Sequence, residues 1–175
     1  TLPSNTALAV GADIDYIRVL TFNPYTGIPV TVILAKDLKS KYFPESNENL
    51  NFEEYKAGDK HIPFKILSEH KGKEFEGIRY EQLLPYQKPD NGDAFRVVIG
   101  DFVTTEEGTG IVHIAPSFGA DDFRVAKKYG IGSLTLVDKQ GKFIEGCGDL
   151  TGKFVKNAYD PNLTDEDETT DVYIA

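Results

Sequence analysis

The chain has 175 residues, 40% of them hydrophobic and 27% charged, which suits a folded domain with its own core and excludes an extended disordered segment. A net charge of −9, from 28 acidic against 19 basic residues, excludes a broad phosphate-gripping face, so any nucleic-acid contact must be small and local. No run approaches the ~20 apolar residues of a membrane helix.

Two strand-like runs, TALAV and YIRVL, open the chain between Asn5 and Val19, joined by Gly11-Ala12-Asp13. TFNPYTG, residues 21–27, is turn chemistry, and β-branched Val30 to Leu34 predicts another strand. Apolar positions at Ala35, Leu38 and Tyr42 predict a short helix over 35–43. Residues 44–60 are polar and mixed and read as a surface insertion. Phe64 to Leu67 is a strand candidate, and Glu74 to Tyr80 is another, with Gly77 as a turn or bulge. KPDNGD, residues 88–93, is a loop, and Phe95 to Ile99 is a buried strand. Leu134 to Val137 and Phe143-Ile144 predict short strands around Lys139-Gln140-Gly141. The acidic run from Thr164 to Thr170 reads as a solvated loop. Many short strands, frequent Gly and Pro turns and few helices predict an α+β fold: a closed or nearly closed β-barrel with short flanking helices, in a single domain over residues 1–175.

The most informative stretch is GTGIVHIAPSFGADDF, residues 108–123. Gly108 and Gly110 bracket Thr109 in a tight turn. Ile111 to Ala115 reads as a strand that carries His113 on the face of Ile111 and Ala115. Pro116 ends the ladder, Ser117 is placed to cap a helix, and Asp121 and Asp122 sit in its first turn. Lys127, Lys128 and Gly130 close that helix. One imidazole and one carboxylate are thereby brought to a strand end beside a helix start.

On these residues the segment resembles the editing-domain motif of isoleucyl-tRNA synthetases, GTG-x-V-H-x-AP…D. Residues 1–11, TLPSNTALAVG, resemble the stretch after the threonine-rich tryptophan motif at the entrance of that domain. KGKEFEGIRYEQLLPY, residues 71–86, and DKQGKFIEGCGDLTGKFV, residues 138–155, resemble its middle and its exit. The resemblance implies a β-barrel editing domain, a fragment of a larger cytoplasmic synthetase, that hydrolyses mischarged Val-tRNA(Ile). The implied partners are the aminoacylated 3′ end of tRNA(Ile) and the rest of the synthetase chain. Editing needs no cofactor, whereas the parent ligase uses ATP and Mg. Starting at Thr1 without a Met, the chain is expected to be a fragment or a processed chain, and Thr1-Leu2-Pro3 fits an excised fragment.

The resemblance also assigns residue roles. Asp122, whose helix-start position alone would satisfy it through the dipole, takes the α-ammonium of the misattached amino acid. His113, by its own context either a core residue or a pocket residue, contacts the substrate; it is not assigned the role of general base. These two are the expected catalytic pair. Thr109 lines the pocket through its hydroxyl or merely suits a β-turn. Gly110, Ala115 and Pro116 line the pocket with it, and Asn5 and Thr1 lie near its entrance. Asp121 reads as a solvent-facing acid, and His61 and His70 as surface residues. Two departures stand out. The threonines that precede the family's tryptophan are not in this sequence, and Ser117-Phe118-Gly119 stands where many relatives carry Gly-His-Gly. No metal-ligand spacing, phosphate loop or G-x-S-x-G elbow is present, and Cys147 reads as a small apolar filler. The alternatives are a valyl-type editing domain that clears threonine, and a β-barrel binding module without turnover.

Overall fold

The computed structural model describes residues 2–48, 50–156 and 160. Among the described residues six strands are formed: β1 (Ala7–Val10), β2 (Asp15–Phe22), β3 (Pro29–Ala35), β4 (Lys65–Lys71), β5 (Arg96–Ile99) and β6 (Ile111–Ile114). Two α-helices accompany them, the one-turn α1 (Lys39–Tyr42) and the longer α2 (Ala120–Tyr129). One sheet has the order β3-β2-β4 and the other β5-β1-β6. The expected closed barrel is therefore not formed among the described residues. Its physical reason is pairing length: β1, β5 and β6 have four residues each, and the apolar stretches after Tyr129 contribute isolated bridges such as Val137 to Phe143 in place of strands.

The chain divides into two compact units, the first made of 1–8, 79–96 and 113–175, the second of 9–78 and 97–112. In the second unit β2 pairs antiparallel with both neighbours, Tyr16 opposite Ala35 and His70, Leu20 opposite Thr31 and Lys65. Alternation along β2 buries Ile17, Val19 and Thr21, and Tyr16 is buried beside them in the chain. They join Leu34, Ala35, Leu38, Phe64 and Phe75 in its core. Tyr16 is the polar centre of that core. Its hydroxyl accepts from Gly11 N–H at 3.0 Å and donates to the Gly110 carbonyl at 2.6 Å, while its ring meets Phe75 edge-on. Burial pushes its ionisation above the ordinary tyrosine range. The helix predicted over 35–43 is a 3-10 turn, Lys36–Leu38, running into α1. The polar insertion is largely exposed, yet Phe52 and Tyr55 fold back onto Phe22, Tyr55 stacking at 4.5 Å.

The predicted strand over 74–80 is not formed. Gly72–Phe75 is a 3-10 turn, because Glu74 Oε1 accepts from Lys71 N–H at 2.6 Å and draws the chain into a local loop. Gly77 then takes φ +83°, and only Arg79 makes a bridge, to Arg96.

In the first unit α2 packs Val125 and Ala126 inward, and Gly130 ends it in the left-handed region at φ +63°. A separate small core gathers Leu134, Leu136, Phe143, Cys147 and Leu150, flanked by Tyr86, Val137, Ile144 and Val155. The predicted turn at residues 139–141 is held by Asp138, whose Oδ1 accepts from the amides of Gln140 and Lys142. The acidic run 164–170 lies outside the described residues.

Candidate functional site

β6 delivers His113 and stops at Ile114, and Ala115 and Pro116 are buried just beyond it. Phe118 N–H closes a turn onto the Ala115 carbonyl at 2.9 Å, and α2 starts at Ala120. Ser117 does not cap this helix. The N-cap is Gly119, extended at φ −131° and with no side-chain cap, while Ser117 Oγ lies 2.7 Å from Thr135 Oγ1. Three residues of turn, not one, separate the proline from the helix.

With Gly119 at the N-cap, Asp121 and Asp122 are the second and third helical residues. Their surroundings differ. Asp121 is exposed and pairs with Arg124 at 2.7 Å. Asp122 is partly buried, and its Oδ2 accepts from Ala115 N–H at 2.8 Å, tying the helix start back to the strand end. The carboxylate lies close enough to His113 for its charge to favour the imidazolium. Burial outweighs that attraction and holds His113 below the ordinary histidine value of 6.5, so the ring is neutral at pH 7. The structure thus brings His113, Ala115, Pro116 and Asp122 together in the first unit.

Asn5 belongs to the same unit but its amide is engaged within the protein. Nδ2 donates to the Ala7 carbonyl at 2.7 Å, and Oδ1 accepts from Tyr80 OH at 2.6 Å. Tyr80 had no signal of its own in the sequence, since its partner is 75 residues away. Thr109 and Gly110 belong to the second unit. Thr109 is exposed and its carbonyl accepts from Ala35 N–H at 2.8 Å. Gly110 is buried at φ +75°, where a Cβ would lie 2.5 Å from that of Ala35. Thr1 lies outside the described residues. Of the two histidines read as surface groups, His61 is exposed and His70 is partly buried between Ser68 and Glu74.

Two clefts accompany these residues. One, of about 400 Å³, runs beside α2 between Pro116, Ser117, Phe123, Ala126, Lys127, Ile131 and Ser133. The other, of about 690 Å³ in the second unit, has an acidic rim of Asp13, Asp15, Asp37, Asp101 and Glu106. Neither is lined by His113 or Asp122. Among the described residues no group of three His, Cys, Asp or Glu side chains is arranged to hold a metal ion, and no helix is long and apolar enough to cross a membrane.

Comparison with known proteins places the chain. No family model matches it. The isoleucine–tRNA ligase of Bacteroides fragilis is 51% identical to it over 201 aligned positions, which cover 99% of this chain and 17% of that protein. The ligase of Cytophaga hutchinsonii is 58% identical over 178 positions, covering 96% of the chain and 16% of the ligase. That of Treponema denticola is 45% identical, over 90% of the chain and 14% of the ligase. One solved structure, the crystal structure of GlLeuRS-CP1, aligns with a TM-score of 0.46 and 18% identity over 74% of this chain and 45% of the other. The chain spans about one-sixth of the length of the curated relatives it matches. Along nearly its whole length the chain is homologous to one stretch of the isoleucine–tRNA ligases.

Proposed function

We propose that the 175 residues are the editing domain of a longer isoleucine–tRNA ligase and hydrolyse the ester of Val-tRNA(Ile). The observation that carries this reading is the Asp122 carboxylate, partly buried in the first turn of α2, with one oxygen on the Ala115 amide and a neutral His113 nearby. It lies in a chain whose relatives carry the name isoleucine–tRNA ligase. Ester hydrolysis needs a fixed acyl group, a water and shelter. A half-buried carboxylate attracts an α-ammonium more strongly than an exposed one, because fewer waters screen the pair. The water attacks the acyl carbon, the C–O bond to the ribose breaks, and the ribose hydroxyl leaves with a proton. A neutral imidazole beside that centre can accept or relay a hydrogen bond without repelling the incoming ammonium.

The partners on this reading are the aminoacylated 3′ end of tRNA(Ile) and the rest of the ligase chain. A net charge of −9 fits a domain that receives one strand end and leaves the grip on the tRNA body to the remainder of the enzyme. The need for such a site is general. One missing methylene is worth only about 1–3 kcal/mol in a binding pocket, a figure for which this enzyme class is itself the standard example.

The test uses the full-length ligase that contains this chain. Asp122→Ala is expected to stop the clearance of Val-tRNA(Ile) while isoleucylation continues. Clearance at the parent rate would overturn the reading.

A further inference from the structure

We infer that Gly119 is a positioning residue for Asp122: the empty space where its side chain would stand is what allows the carboxylate to fold back onto the Ala115 amide. The inference deepens the reading above and rests on it for its functional meaning, although its geometry stands alone.

Glycine is not demanded here by the backbone. At φ −131° and ψ 136° Gly119 is extended, a conformation open to every residue. Nor is it the best choice for the helix. Asn, Asp or Ser at an N-cap supplies an acceptor to the first free amides, and this helix has no side-chain cap. The three atoms a Cβ would meet first all belong to Asp122, with Cγ at 2.9 Å, Oδ2 at 3.1 Å and Oδ1 at 3.2 Å. Those three atoms are the whole carboxylate. It sits at the end of a rotatable side chain, so it gives way before the backbone does. The expected result of any side chain at 119 is an intact helix with Asp122 swung off Ala115.

The anchored geometry has a chemical consequence. Oδ2 accepts from the Ala115 amide, which fixes the orientation of the carboxylate. The carboxylate accepts one bond from the protein and offers one defined direction to a cation. Freed from Ala115, it would keep its charge and lose that direction, which lowers the rate of a step that depends on alignment more than it lowers affinity.

The decisive measurement is an NMR titration of the chain. In the parent the Ala115 amide proton should shift with the ionisation of a carboxyl group, and Asp122→Asn should abolish that shift. Gly119→Ser supplies an N-cap oxygen to the helix and adds the Cβ. It should likewise remove the shift of the Ala115 amide, and it should move the His113 titration in the same direction as Asp122→Asn does. The two substitutions combined should move His113 no further than Asp122→Asn alone. An Ala115 amide indifferent to carboxyl ionisation in the parent, or a Gly119→Ser chain that titrates as the parent does, overturns the inference. A second arm takes Gly119→Ser into the full-length ligase. Its clearance of Val-tRNA(Ile) should fall at least tenfold in kcat with a smaller change in KM. Should the NMR arm hold while clearance is unchanged, the positioning stands and the editing role of Asp122 falls.

Discussion

Gly110 and Gly119 belong to the same motif, yet they are glycines for opposite reasons. Gly110 is fixed by the backbone and the core. Its φ is +75°, a Cβ would run into Ala35, and its carbonyl is the acceptor for the buried Tyr16 hydroxyl. Gly119 has an ordinary extended backbone, and the atoms nearest to its absent Cβ are those of a movable carboxylate. One glycine holds the fold of its unit, whereas the other holds the direction of a functional group. A side chain at the first must strain the framework. At the second it only has to push Asp122 aside.

Stability measurements can break this contrast. Gly110→Ala should lower the unfolding free energy by roughly 2–4 kcal/mol, combining left-handed strain with overpacking against Ala35. The same exchange at Gly119 should cost under about 1 kcal/mol, the usual loss at an N-cap. Urea denaturation of both variants decides it, and equal losses would erase the distinction. Tyr16→Phe sharpens the Gly110 side. It removes the hydroxyl that joins the Gly11 amide to the Gly110 carbonyl and leaves both buried, at a cost of about 1–3 kcal/mol on the same assay. No change on removing the hydroxyl would mean that the 108–110 turn is held by packing alone.

The smallest expected effect is a pH dependence on the Gly119 side. His113 has a folded-state pKa below its ordinary value of 6.5, with burial as the leading cause. Just below pH 6.5 the unfolded chain therefore binds more protons than the folded one. Stability should fall as the pH drops from about 6.5 through the folded pKa, and should be insensitive to this group above pH 6.5. His113→Gln should flatten that part of the curve. An unchanged slope would show that the ring is not shielded from water.

The legibility of the sequence follows the same divide between local and distant causes. β1 to β3 and the lysine-and-glycine end of α2 were readable because each is set by residues within a few positions. The strand expected over 74–80 failed because Glu74 reached Lys71 and formed a local turn that periodicity does not encode. The barrel failed for a related reason. Apolar runs such as 134–137 promise strands, but they pair only through single bridges here. At the site, the motif marked His113 and Asp122, whereas the clamp between Asn5 and Tyr80 spans 75 residues and left no local trace. Gly119 was visible as a letter only. Its meaning lies in what stands 2.9 Å from an atom it does not have.

The sole cysteine of the chain offers a different use. Cys147 is fully buried in the small core with Leu136 and Phe143, and burial pushes its thiol above the ordinary cysteine range. A thiol sealed and protonated in this way reacts with alkylating reagents only during excursions that expose it. The protein therefore carries an intrinsic clock for the breathing of that region. Its labelling rate, compared with global unfolding, tells whether the C-terminal core opens alone or with the whole molecule, and no engineered probe is needed.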